Sequence, residues 1–115
     1  YYGQYSKIIR ELHAISPDAK IFVETMPATS GLRADYNVAV RTIAKQYAST
    51  YDVHLLDLAN YMELYGSSEL AADAIQGHYT AIGYQKFAEY LRYVMSEYID
   101  SHASDFQDVY KIPTE

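Results

Sequence analysis

Apolar and polar positions along the chain predict an alternation of helices and strands. Residues 2–15 carry apolar side chains at helical spacing and predict an amphipathic helix. Pro17 ends that helix, because the residue before a proline is forced out of the helical region. Residues 20–25 are β-branched or aromatic and predict a short buried strand. After a small polar loop, a second amphipathic helix is expected from about Asp35.

The second half of the chain continues the same order. Residues 53–58 form a nearly continuous apolar run, which is typical of a strand covered on both faces in a parallel sheet. A short helix is expected over residues 59–65 and a loop over residues 66–76. Residues 87–99 carry a wide apolar face and predict the last helix, and the polar tail from about Ala103 is expected to be extended or loose. A strand–helix–strand unit of this length predicts a right-handed parallel crossover and therefore an α/β fold.

Two predicted strands make a small sheet for three long amphipathic helices. Sheets that are stable by themselves usually have three or more strands. We therefore expect residues 20–25 and 53–58 to be neighbours in a larger parallel sheet, with helices on both faces. The remaining strands would come from residues outside this sequence, in the same or another chain. Alone, the chain is expected to expose apolar surface and to fold poorly.

Composition narrows the class of function. The 115 residues carry a net charge of −6, so no basic surface is predicted for a nucleic acid. No apolar run is long enough for a membrane span. The absence of cysteine excludes disulfides, thiolate nucleophiles and Cys-based zinc sites, and no histidine pair stands at metal-ligand spacing. The compartment stays open, with an extracellular or cell-surface location slightly favoured.

His78 is the main candidate for chemistry. It is predicted to lie in a short loop after Gly77, immediately before a helix whose start Thr80 is suited to cap. The positive end of a helix disfavours imidazolium, so a histidine there tends to stay neutral and able to accept a proton. The alternative is a loop histidine that hydrogen-bonds only its own turn.

Several features of the sequence follow one another in a recognisable order. They are a strand closed by Pro27, then Arg33 and the pair Tyr36-Asn37 at the start of a helix, then Asp57 at the end of a strand, and then His78 followed by Gly83-Tyr84. In this order, residues 20–98 resemble the C-terminal half of an SGNH, or GDSL-type, hydrolase. The resemblance implies a three-layer α/β/α, flavodoxin-like fold with a parallel sheet. Residues 1–102 would form the C-terminal portion of one such domain, and residues 103–115 a polar tail.

The resemblance also implies a catalytic role for His78. In this family a histidine at the matching position is the general base of a serine esterase, and an aspartate precedes it by three positions. Here that position is Ile75, and Asp73, five positions before His78, is the candidate acid. The serine nucleophile and the oxyanion hole of the family lie upstream, outside this sequence. The expected substrates are acyl esters, including acetylated glycans, and no cofactor or metal is expected.

Other polar residues carry weaker predictions. No strand–turn–helix elbow surrounds Ser30, and Ser67 and Ser68 are typical loop residues, so none is predicted to be a nucleophile. Asp57 ends a predicted parallel strand, where α/β ligand sites gather, but capping the following turn is the favoured interpretation.

The remaining histidines and the start of the second helix are interpreted structurally. His54 alternates with apolar strand positions, and His13 and His102 lie on helices. The pair Tyr36-Asn37 is interpreted as a packing element. The alternative to an esterase is a non-catalytic carbohydrate-binding or structural domain that keeps the same fold.

Overall fold

Helices and strands alternate along the chain, largely as the apolar pattern predicts. The computed structural model describes residues 1–28, 31–65, 74–75 and 78–106, with only the backbone for residues 62–65, 74–75 and 78. The elements are α1 (Tyr2–Ile15), β1 (Ile21–Glu24), α2 (Gly31–Tyr47), β2 (Val53–Leu56), α3 (Leu58–Tyr65), β3 (Ala74–Ile75), β4 (His78–Tyr79), α4 (Ala81–Ser101) and a 3₁₀ helix (Ala103–Phe106).

The two apolar strands β1 and β2 pair in parallel, which confirms the predicted neighbours. The register runs from Ile21 opposite Val53 to Glu24 opposite Leu56. One further hydrogen bond closes the ladder at its carboxyl end, from Thr25 N to Leu56 O at 3.0 Å. The described fold is therefore mixed α/β and mostly helical, with a small parallel sheet.

Side chains of three helices lie against this sheet. On one face, α1 and α2 enclose a core of buried side chains, namely Ile9, Val23, Val40, Ile43, Ala44 and Val53. On the other face, the ring of Tyr98 in α4 lies 5.4 Å from the ring of Phe22 and 4.4 Å from that of His54. Successive strand residues point to opposite faces of the sheet. α1 and α2 therefore lie on one face, and Tyr98 of α4 lies on the other.

Several predicted boundaries and elements were wrong. α2 begins at Gly31 rather than near Asp35, with Gly31 at a φ of 73°, a left-handed conformation that glycine adopts at little cost. Residues 74–75, predicted as loop, form β3 because they pair with β4. The start of the tail is a 3₁₀ helix rather than extended, since Asp105 N donates to His102 O at 2.9 Å.

α1 carries apolar residues on its outer side as well as on its buried side. Ile8, Leu12 and Ile15 are 55%, 48% and 82% exposed, and they recur at i, i+4 and i+7. Such a row lies on one face of a helix. Poor folding of the chain alone stays a prediction. This exposed apolar row is the kind of surface on which that prediction depends. Within the described residues, no helix is both long and apolar enough to cross a membrane.

Candidate functional site

The segment around His78 is a strand rather than the predicted loop. β4 pairs antiparallel with β3, and Ile75 lies directly opposite His78 in the register. α4 then begins at Ala81, with Thr80 as its N-cap. The Thr80 hydroxyl accepts a hydrogen bond from Gly83 N at 3.5 Å, which confirms the predicted cap. The backbone of His78 is thus fixed between a short strand pair and the positive end of a long helix.

A hydrogen bond connects this segment to the chain that follows β1. The Tyr79 hydroxyl donates to Pro27 O at 3.3 Å, and Pro27 follows β1. The residue next to His78 therefore lies at the carboxyl end of β1. In α/β proteins, ligand sites gather beyond the carboxyl ends of parallel strands.

A cleft of about 330 Å³ opens beside Tyr79 and is called here the aromatic cleft. Its lining side chains come from β1 and the loop after it, from β4, from the start of α3 and from the first half of α4. They are Glu24, Pro27, Leu58, Tyr79, Tyr84, Phe87, Ala88 and Leu91. The buried side chains of Leu58 and Phe87, which are 3% and 6% exposed, form an apolar floor. Burial raises the pKa of Tyr79, and the nearby charge of Arg33 opposes that shift in part.

Asp57 lies deeper at the same end of the sheet and is enclosed by hydrogen bonds. Arg41 of α2 donates to both of its oxygens, from Nε to Oδ2 at 2.9 Å and from Nη2 to Oδ1 at 3.0 Å. Asn60 N donates to Oδ1 at 3.1 Å. Asp57 therefore caps α3, which confirms the favoured interpretation. Burial alone would raise the pKa of Asp57, but the bonds from Arg41 and Thr25 outweigh it and lower that pKa.

Thr25 joins Asp57 to α3 and was not predicted as part of this site. It is 1% exposed, its hydroxyl donates to Asp57 Oδ1 at 2.9 Å, and it accepts from Ala59 N at 3.0 Å. The signal in the sequence was its position at the predicted carboxyl end of a strand, where side chains of neighbouring parallel strands converge. Arg41 could have been found from Asn37, since i and i+4 share a helix face.

Asn37 fastens the loop that follows β1. Its Oδ1 accepts from Met26 N at 2.7 Å, and its Nδ2 donates to Met26 O at 2.7 Å and to Ala28 O at 3.2 Å. The side chain is 1% exposed. It acts as a backbone substitute inside the fold, in keeping with its interpretation as a packing element. The chain after β1 is thereby held rigid next to the aromatic cleft.

The opposite, amino end of the sheet carries a different group of charges. Lys20 Nζ lies 2.7 Å from Asp52 Oδ2 and 3.4 Å from Asp105 Oδ2, and His54 Nε2 lies 2.7 Å from Asp52 Oδ1. The bond to Asp52 raises the pKa of Lys20 above its ordinary value. Burial alone would raise the pKa of Asp52, but Lys20 and His54 together lower it. His54 is thus a structural histidine, as predicted.

Some predicted site residues fall outside the described part of the chain. These are Asp73, Ser30, Ser67 and Ser68, and for His78 the backbone alone is described. In the part of the chain that the structure describes, no group of three or more His, Asp or Glu side chains could hold a metal ion. The pairing of His78 with Ile75 leaves an apolar residue at the position where the resembling family has its aspartate.

Comparison with known proteins found no matching protein family, no matching curated protein and no matching solved structure. Any functional assignment therefore rests on this chain's own residues and geometry.

Proposed function

We propose that this chain is the C-terminal portion of a serine ester hydrolase of the SGNH type, with a three-layer α/β/α, flavodoxin-like fold. His78 is the general base. One observation carries the proposal, namely the hydrogen bond from Tyr79 to Pro27 O. It holds the segment of His78 at the carboxyl end of the parallel sheet, where a nucleophile from a neighbouring strand would also emerge.

The chemistry of ester hydrolysis accounts for the need for a histidine here. A serine hydroxyl is a weak nucleophile until a base takes its proton, and the same base later returns the proton to the leaving alcohol. His78 precedes the N-terminus of α4 by three residues. The partial positive charge of that end favours a neutral imidazole in the resting state. His78 is therefore suited to accept a proton near neutral pH.

The acid that orients the histidine is the open element of the proposal. Ile75 faces His78 across the strand pair and has no carboxyl group. Asp73 remains the proposed acid, and a backbone carbonyl is the alternative partner for the second ring nitrogen. A carboxylate would fix the tautomer and stabilise the imidazolium formed during the reaction, whereas a carbonyl would only orient the ring.

The proposed substrates are acyl esters, with acetylated glycans as the candidate natural class. The reaction needs no cofactor, since the serine, the histidine and an oxyanion hole supply all of its steps. The serine and the oxyanion hole would come from the N-terminal half of the domain, in the same polypeptide or in a partner chain.

The test is the loss of activity on removal of the base. In a protein that contains this chain together with its N-terminal half, His78→Ala should lower turnover of p-nitrophenyl acetate by roughly 10³-fold or more. His102→Ala, on the far end of α4, is the matched control and should retain activity. Asp73→Asn should cost up to about 10⁴-fold if Asp73 is the acid, and almost nothing otherwise. Near-full activity of His78→Ala would show the assignment to be wrong.

A non-catalytic domain is the second candidate, and the Ile75–His78 pairing favours it. A protein that has lost the orienting carboxylate has lost one requirement for an efficient triad. In that case the restored domain should show no esterase activity. It should also fail to react with a fluorophosphonate probe, which labels activated serines, while it still binds an immobilised glycan.

A further inference from the structure

The rings of the aromatic cleft stand at right angles to one another. The centroid of Tyr79 lies 4.9 Å from that of Phe87 with an interplanar angle of 84°, and 6.0 Å from that of Tyr84 with an angle of 79°. Perpendicular rings form a corner with two walls. A cation in such a corner lies within about 6 Å of more than one ring centroid, which is the range of cation–π attraction.

Glu24 supplies a negative charge at the edge of the same cleft. It is the last residue of β1 and the one acidic side chain among those that line the cleft. Among the described residues, none forms an ion pair or side-chain hydrogen bond with it. Partial burial raises the pKa of its carboxyl group, which is the direction expected where no cation offsets desolvation.

We propose that the aromatic cleft binds a small organic ammonium compound, with its alkylated nitrogen between Tyr79, Tyr84 and Phe87 and its charge balanced by Glu24. Aromatic walls combined with a carboxylate are the chemistry that recognises quaternary ammonium groups. The volume of about 330 Å³ lies at the lower end of the range for small-molecule sites, so the cleft suits a small ligand. This inference does not depend on the proposed hydrolase activity.

A purely apolar ligand, such as an acyl chain, is the competing occupant. It would fill the same floor of Leu58 and Phe87, but it would remove water from the Glu24 carboxylate with nothing in exchange. A cation reverses that cost. Arg33 acts electrostatically on Tyr79 and should oppose the binding of a cation beside that ring. Arg33→Gln should therefore tighten binding of an ammonium ligand and leave binding of a neutral ligand unchanged.

The decisive experiment compares two ligands of the same shape and different charge. Choline and 3,3-dimethylbutan-1-ol are titrated into a folded protein that contains this chain together with its N-terminal half, with chemical shifts of Tyr79 and Tyr84 as the readout. Choline should bind roughly 10-fold more tightly than its neutral isostere. Equal binding of the two compounds would overturn the proposal in favour of an apolar pocket, and binding of neither would overturn it outright. Binding to phosphatidylcholine vesicles without binding to free choline would overturn the small-molecule assignment.

Variants at exposed positions test the roles of the named groups without disturbing the core. Glu24→Gln should remove most of the preference for choline and keep the affinity for the neutral isostere. Tyr84→Phe should retain choline binding, because the ring remains, whereas Tyr84→Ala should weaken it. Glu97→Gln and Tyr93→Ala, also on α4 but outside the cleft, are the matched controls. A preference for choline that survives Glu24→Gln would contradict the role of the carboxylate.

Discussion

The two ends of the parallel sheet use polar residues in opposite ways. At the carboxyl end, Thr25 and Asn37 are each 1% exposed and bond mainly to backbone groups or to a capping carboxylate. At the amino end, Lys20 and Asp52 keep 21% and 38% of their side chains exposed and pair with each other. Buried hydrogen bonds are costly to break, whereas exposed ion pairs contribute little and are screened by salt. The polar residues at the carboxyl end should therefore contribute more to stability than those at the amino end, whose contribution should depend on salt.

The largest expected effect is at Asn37. Asn37→Ala leaves Met26 N–H and Met26 O without their bonds to the amide, inside the protein. We expect a loss of about 2–4 kcal/mol in the free energy of unfolding, measured by urea denaturation. Asn37→Asp keeps the acceptor for Met26 N but sets a buried carboxylate oxygen against Met26 O and Ala28 O, so it should not recover the lost stability. A loss below about 1 kcal/mol for Asn37→Ala would mean that these buried hydrogen bonds do not stabilise the carboxyl end as expected.

Thr25→Val tests the same end with an almost unchanged shape. The substitution removes one donor to Asp57 and one acceptor for Ala59 N. A loss of roughly 1–3 kcal/mol in unfolding free energy is expected, because Ala59 N is left without its partner in the interior and Asp57 loses one of its hydrogen bonds. Thr42→Val is the matched control, since its exposed hydroxyl donates only to Val38 O within α2. Thr25→Val should lower the thermal unfolding temperature clearly more than Thr42→Val. Equal shifts would show that the buried hydroxyl at the carboxyl end contributes no more than an exposed one.

Asp52→Asn should have the smallest effect and the strongest dependence on conditions. Asn tolerates the positive φ of 52° at this position, so the substitution removes the charge and leaves the backbone unstrained. The expected loss at neutral pH is about 0.5–1 kcal/mol.

The pH and salt dependence of this contribution follow from its origin. The pKa of Asp52 is lowered in the folded state, so the contribution is present above the unfolded pKa of about 3.9 and is lost as pH falls through the folded pKa. Raising the salt from about 0.01 M to about 1 M should shrink the difference between wild type and Asp52→Asn. It should leave the effect of Thr25→Val unchanged. A salt-independent effect of Asp52→Asn would contradict the comparison.

How far the sequence predicted the fold depended on how local each signal was. The parallel pairing of β1 and β2 followed from two β-branched runs and the helix between them. The start of α2 was missed because Gly31 reads as a loop residue, and only its left-handed backbone fits it to the first turn. β3 was missed because two residues carry no periodicity, and its existence depends on pairing with β4.

The site was predicted less completely than the fold. The Thr80 cap and the capping role of Asp57 are local and were found from sequence. The bond between Thr25 and Asp57 joins residues 32 positions apart, and no pattern along the chain encodes it. Glu24 reads as the polar end of a strand, and it gains meaning only when α4 brings Tyr84 alongside.

α4 is one continuous helix that contacts residues at both ends of the sheet. Tyr84, in its first turn, lines the aromatic cleft, and Tyr98, near its end, packs on His54 in the charged group. The two residues are about 21 Å apart along the helix axis, since each residue adds about 1.5 Å. Tyr98 packs on His54, and His54 bonds to Asp52. Weakening that bond should therefore move Tyr98 and, through the rigid helix, the ring of Tyr84. A shift of the Tyr84 ring resonances in Asp52→Asn would reveal this leverage, and unchanged resonances would exclude it.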